Sequence, residues 1–136
     1  MSSFRIFDIA GSAMSAQSAR LNTVASNLAN ADAVSGNPDE VYKARLPVFK
    51  TLSEPGSQDS AGVQVLGIVE SQAAPEKRYE PGHPLADADG YVYAPNVNVV
   101  EEMVDMISAT RAYEANVTAL NATKSMISSG IEIGKA

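Results

Sequence analysis

The sequence predicts a mainly α-helical fold with a small β insert: long N- and C-terminal helices pairing as an antiparallel coiled coil, joined by a short, turn-rich, β-rich segment. Three observations predict it. Near the N-terminus Phe7, Met14, Leu21 and Leu28 recur at heptad spacing and interleave with Ala10, Gln17, Val24 and Ala31 in a 3-4 alternation, the pattern of a helix seam. Near the C-terminus Val99, Met106, Tyr113, Leu120 and Ile127 form one such row, and Met103, Thr110, Val117, Lys124 and Ile131 a second. Between the two ends, prolines, glycines and acidic residues interrupt every periodic run. The organisation that follows is one discontinuous helical assembly unit, residues 1–33 with 96–136, and an insert over residues 34–95.

The first helix is predicted from about Phe4 to Ala31, roughly 40 Å long at 1.5 Å per residue. Ala10, Ser12, Ala13, Ser15, Ala16, Ser18, Ala19, Ala25, Ser26 and Ala29 place small side chains on almost every face. Alanine raises helix propensity, but the serines do not, so the common property is size, which permits close packing by several neighbours. Ser35-Gly36-Asn37-Pro38 ends this helical stretch, since the residue before proline avoids helical geometry.

Within the insert, Tyr42, Ala44, Leu46 and Val48 alternate with Lys43 and Arg45, and Pro47 restricts the segment to an edge strand. Val63 to Val69 is a second strand candidate, with a surface loop around Pro55-Gly56 and Gly62 between the two. Pro81-Gly82 suits a type II turn, Asp89-Gly90 a further turn, and Tyr91-Val92-Tyr93 a short extended piece.

The second helix has a clear start. Asn98 is a good cap, Glu101 lies three residues later as in a capping box, and Glu102 and Asp105 suit the positive end of the helix dipole. The apolar pattern persists to Ile131, with Val100, Val104 and Ile107 widening it, and Gly134 offers a stop. About 35 helical residues span roughly 50 Å. Gln17, Thr110 and Lys124 are polar members of otherwise apolar rows, able to set register or to lie in solvent.

A chain of 136 residues is long enough for one modest domain, but two long stripes leave little for a globular core. The apolar rows therefore call for partners, and Phe7, Met14, Leu21, Val24, Leu28, Val99, Met103, Met106, Tyr113, Val117, Leu120 and Ile127 are the predicted assembly interface. On the same ground both termini are expected to be largely disordered in the dilute monomer and to fold on assembly. The net charge of -6 is concentrated in residues 34–95, where nine acids face five bases. No basic stripe exists to neutralise phosphates, which argues against nucleic-acid binding. With no cysteine there is no disulfide, thiolate metal site or cysteine nucleophile. Arg5, Asp8, Ser12, Ser15 and Gln17 break up the start, so a cleaved secretory signal is not expected, and no segment is long and apolar enough for membrane insertion.

Catalytic chemistry finds no constellation. His83, the only histidine, sits in Pro81-Gly82-His83-Pro84 without a nucleophile motif beside it, and reads as a turn residue. Asp87-Ala88-Asp89-Gly90 resembles part of a calcium loop, but placing Gly90 at the loop glycine leaves Leu85 and Asn96 at the end ligand positions. An Asx-stabilised turn is the better reading. No catalytic residue, cofactor or metal is predicted; a cell-wall enzyme using Glu80, Asp87 or Asp89 is the enzymatic alternative.

Ala25-Ser26-Asn27-Leu28-Ala29-Asn30-Ala31 resembles the N-terminal signature of bacterial flagellar axial proteins, the rod and hook subunits. Tyr79 to Asp87, Gly90-Tyr91-Val92, Pro95 to Met106 and Ile107 to Asn116 resemble, more specifically, the small proximal-rod subunits, which the chain also matches in length. The similarity covers the first 35 residues and residues 63–127. Ala13 stands where many axial proteins have glycine, and Asp32-Ala33 replaces a commoner Asn-Thr. The resemblance implies a structural subunit of the basal-body rod, assembling helically across the periplasm with copies of itself and other flagellar rod proteins. It also implies delivery by the flagellar type III export apparatus and contact with basal-body base proteins. The alternative outside this class is a soluble helical-hairpin adaptor or export cofactor that binds a partner helix and dissociates.

Overall fold

The computed structural model describes residues 3–53 and 60–135. In chain order it comprises α1 (Ser3–Ala29), β1 (Arg45–Ser53), β2 (Ser60–Glu70), β3 (Glu76–Tyr79), β4 (Tyr91–Ala94) and α2 (Val99–Lys135). The mainly helical class with a small β insert is what the apolar periodicity predicts.

The two helices pack against each other. Asn27, in the last turn of α1, donates to Glu102, near the start of α2, at 2.8 Å. The helices therefore run antiparallel from a common level at the insert. With 27 and 37 residues, α2 outruns α1 by about nine residues, roughly 14 Å. Met126, Ile131 and Ile133 are exposed on α2 near that far end.

Small residues set how closely the elements approach. Ala10, Ala16, Thr23, Val24 and Asn27 are buried on α1, as are Ala109 and Thr123 on α2. The β1–β2 ribbon lies against another side of α1. At its closest point Ser12 Oγ donates to the Ile9 carbonyl at 2.8 Å and accepts from the Val63 amide at 3.1 Å. A Cβ at the neighbouring Gly62 would stand 2.5 Å from that hydroxyl, so only glycine allows the approach. A helix with small side chains on several faces is thus packed on several faces.

The ribbon pairs Arg45 with Glu70 through to Ser53 with Ser60, with a register shift between Val48 and Phe49. The strands reach further than predicted: Leu52 pairs with Gly62, which sequence reading assigned to a loop, while Pro55-Gly56 lie outside the described residues. The predicted start at Tyr42 is early by three residues, since β1 begins at Arg45. The amide of Ala44 is engaged by Asn96 Oδ1 at 2.8 Å and that of Arg45 by Asn27 Oδ1 at 2.8 Å, so this stretch is held by side chains before the ladder begins.

The second ribbon pairs β3 with β4, Glu76↔Ala94 to Tyr79↔Tyr91. Strand β3, Glu-Lys-Arg-Tyr, is exposed throughout and has no apolar alternation to predict it. It forms because β4 offers an edge anchored by the buried Val92 and Ala94. Ser35 bridges to Tyr93 in both directions, at 2.9 and 2.8 Å, and ties the segment after α1 to this ribbon.

The turns behave as their residues direct, with one difference. The His83 amide reaches the Glu80 carbonyl at 3.0 Å across Pro81-Gly82, but Gly82 lacks the positive φ of a type II turn. His83 Nδ1 accepts from the Leu85 amide at 3.1 Å, the turn role predicted for it. Asp87 Oδ1 accepts from the amides of Asp89 at 3.0 Å and Tyr91 at 2.8 Å, and Gly90 has φ +82°. This is the Asx turn, and the same backbone bonds, that from Tyr91 first, lower the Asp87 pKa.

Asn98 caps α2, its Oδ1 accepting from Val100 at 3.1 Å and Glu101 at 3.4 Å. The helix does not stop at Gly134, because neither Gly130 nor Gly134 takes the left-handed conformation of a C-cap, and it runs on to Lys135.

Candidate assembly interface

The junction of α1, β1 and α2 is built on one amide. Asn27 is almost fully buried and satisfies all of its polar valences. Its Nδ2 donates to the Arg45 carbonyl at 2.9 Å and to Glu102 Oε1 at 2.8 Å, while its Oδ1 accepts from the Arg45 amide at 2.8 Å and the Tyr42 hydroxyl at 2.9 Å. Tyr42 Oη also lies 3.1 Å from Ser26 Oγ. Such a node fixes register between helix and ribbon because no slipped arrangement satisfies the same groups.

Burial pushes the Glu102 carboxyl above its ordinary value; the bond from Asn27 opposes this, and the charges of Asp105 and Glu101 add to it. Beside it Arg20, Thr23, Val24, Arg45, Leu46, Pro47, Phe49, Glu102 and Asp105 line a hollow of about 330 Å³. Arg20 lies 5.0 Å above the Phe49 ring. Both residues also line a second hollow of about 280 Å³ with Ala13, Ala16, Gln17, Lys50, Thr51 and Val63. Gln17 Oε1 is buried there without a donor.

The predicted seam residues separate into two groups. Val24 is buried, and Phe7, Met14, Leu21, Leu28, Met106, Leu120 and Ile127 are partly buried. Val99, Met103, Tyr113 and Val117 are exposed. Along α2 the protected positions are Glu102, Met106, Ala109, Ala112, Asn116, Leu120, Thr123 and Ile127, at 3-4 spacing. Of the predicted rows, that from Val99 to Ile127 has Met106, Leu120 and Ile127 on this protected side. The other, Met103 to Ile131, is displaced by one position, because the protected residues Glu102, Ala109, Asn116 and Thr123 are small or polar and carry no apolar signal. Thr110 and Lys124 consequently lie exposed. Among the described residues no group of three or more His, Cys, Asp or Glu could hold a metal ion, and no described helix is long and apolar enough to cross a membrane.

A helix pair with uncovered apolar rows, a polar register node and no catalytic cluster among the described residues has the features of an assembly subunit. The flagellar axial class is matched at both ends: the family "Flagella basal body rod protein" over residues 7–36 and "Flagellar basal body rod FlgEFG protein C-terminal" over residues 88–133. Among curated proteins, the chain is similar to the flagellar basal-body rod protein FlgC of Salmonella typhimurium, 53% identical over 135 residues covering 99% of this chain and 100% of that one. Against FlgC of Bacillus subtilis the identity is 39% over 150 residues, with the same coverage; against that of Buchnera aphidicola subsp. Schizaphis graminum it is 42% over 137 residues. The chain belongs to the flagellar basal-body rod protein FlgC family. It is a structural component of the basal-body rod and not an enzyme.

Asn27 lies inside the Asn-Leu-Ala-Asn stretch that carries the resemblance, yet its role was not legible there. Tyr42, Arg45, Asn96, Glu102 and Ala109 were likewise not singled out as contact residues. Their partners lie 15 to 75 positions away where hydrogen bonds define them, and no local period announces such a contact.

Proposed function

We propose that this chain is laid down in the proximal part of the rod, in a helical array with copies of itself and other rod proteins, and that the array carries motor torque across the periplasm. The observation that carries this reading is the apolar face of α2 left uncovered within a chain related to rod proteins over its full length. The terminal helices, paired as a coiled coil, form the inner tube, and the insert braces adjacent subunits. Close packing of long helices resists twist, which is what a shaft requires. Export by the flagellar type III apparatus and seating on basal-body base proteins complete the proposal.

The test is deletion of the gene in a motile host, with complementation, followed by electron microscopy of detergent-extracted basal bodies. Rings without rod or hook, together with the chain detected in wild-type particles, are expected. Intact rods and normal swimming would instead favour the dissociating helical-hairpin adaptor.

A further inference from the structure

The ribbon of β1 and β2 is fastened to α1 at two points and spans the helix between them. At one end Asn27 holds the Arg45 amide at 2.8 Å and the Arg45 carbonyl at 2.9 Å. At the other the Val63 amide donates to Ser12 Oγ at 3.1 Å, beside the close approach at Gly62. Fifteen residues of α1 separate Ser12 from Asn27, roughly 22 Å of helix. Along this span lie the hollows of about 330 and 280 Å³, with Arg20 and Phe49 lining both. Hollows of this size fall well short of the density of a settled interior. The second of them lacks one hydrogen bond and holds a group able to supply it. Gln17 Oε1 is buried there without a donor. Along β1, Pro47, Phe49 and Thr51 share the face toward α1, and the Thr51 hydroxyl, at the wall of that hollow, makes no hydrogen bond among the described residues. Of the other donors in the wall, Arg20 is engaged by the Phe49 ring, and Lys50 alternates to the far face of the strand. Midway between the fastenings the ladder shifts register at Val48/Phe49 and leaves Leu66 opposite no residue. Such a bulge is where a two-stranded ribbon bends.

We propose that the ribbon is a strap poised to close: bending at the Val48/Phe49 bulge, it settles onto α1 when the subunit is built into the array, and the Thr51 hydroxyl then donates to Gln17 Oε1. The inference rests on the reading of the chain as a rod subunit. In the free chain Arg20 props the span, its guanidinium lying over the Phe49 ring. Closure moves Arg20 off the ring toward Glu102 and Asp105, which line the first hollow and have no ion pair among the described residues. One cation–π contact is exchanged for an ion pair, a hydrogen bond and denser packing. What opposes closure is the freedom the ribbon loses, and neighbours in an array remove that freedom in any case. A closed strap joins helix and ribbon into one stiff body.

A double-mutant cycle on Gln17→Met and Thr51→Val in the full-length chain, read in two settings, tests the closure. Thr51→Val removes the hydroxyl and keeps the shape of the side chain. In urea unfolding of the purified chain the two changes should act independently: Gln17→Met raises the midpoint, Thr51→Val leaves it in place, and the double variant matches their sum. Basal bodies from cells expressing each variant are then treated with urea and counted by electron microscopy. Either single change should leave roughly fivefold fewer intact rods at the concentration that halves the native number, and the double variant no fewer than either. Losses that multiply in the double variant, or rods as resistant as the native ones, would overturn the closure and leave the rod reading standing. Coupling already present in the purified chain would show the bond made before assembly and sink the poised state. Arg20→Met removes the prop and should bring the coupling into the purified chain; independence in that background would overturn the role given to Arg20. Absence of the native chain from basal bodies would sink both the closure and the rod reading.

Discussion

Asn27 ties α1 to β1 and α2 through four hydrogen bonds at 2.8 to 2.9 Å. Truncation strands a peptide amide, a carbonyl, a tyrosine hydroxyl and a carboxylate in a closed site, so Asn27→Ala should cost about 3 kcal/mol, read as a lowered urea midpoint. Gln17 presents the reverse case. Its buried Oε1 has no donor, and Gln17→Met, close in volume and without the amide, should stabilise by about 1 kcal/mol in the same assay. Glu102 gives the fold a pH dependence of definite sign. Its folded pKa is raised above the ordinary 4.5, so the folded state holds the proton more tightly than the unfolded chain does. That contribution is fully present below about pH 4.5 and is lost as pH rises through the folded value. Glu102→Gln keeps an acceptor for Asn27 and should be at least as stable as the native chain at neutral pH, with a flatter stability profile over the window just above pH 4.5. An unchanged profile would remove Glu102 from the node's electrostatics. Asp87, lowered by its backbone bonds, acts with the opposite sign: its contribution is present above 3.8 and is lost as pH falls through the folded value.

The helices are the elements whose existence periodicity reveals best and whose facing residues it reveals least. A 3-4 apolar spacing marks α1 and α2 almost end to end, and Asn98 marks the cap. The contact face of α2, however, is chosen by fit against the small residues of α1, and places Ala109 and Thr123 inside while Met103 and Val117 stay out. Ala109→Leu should therefore force the helices apart at a cost of roughly 2 kcal/mol, whereas Met103→Ala should leave chain stability nearly unchanged and reduce assembly into rods. Two-stranded ribbons are marginal alone, and these two are held by Ser12, Asn27, Asn96 and Ser35. The two helices amount to 27 and 37 of the 136 residues. We expect the dilute monomer to show clearly less helix than this by circular dichroism, because α2 covers itself on one side only and its last turns extend past α1. Helicity near half the chain at low concentration, with a monomeric mass, would contradict that expectation.

For the whole molecule, the uncovered stripe, the uncovered ribbon face and the overhanging end of α2 are one consequence of the same fact: too few apolar residues face inward to close a core around helices this long. A globular protein would pay for such surfaces in aggregation; a subunit of a helical array covers them with its neighbours. The sequence by itself determined the helical class, the position of the insert, the cap at Asn98, the turn roles of His83 and Asp87, and membership in the axial class. Each rests on residues close together along the chain, where helical period and turn chemistry act. Only the tertiary structure decided that β3 is a strand, that Asn27 is a four-way junction, and that the second row of α2 faces outward. Those outcomes depend on which distant segments meet, and on small and polar side chains whose contacts leave no periodic trace in the chain.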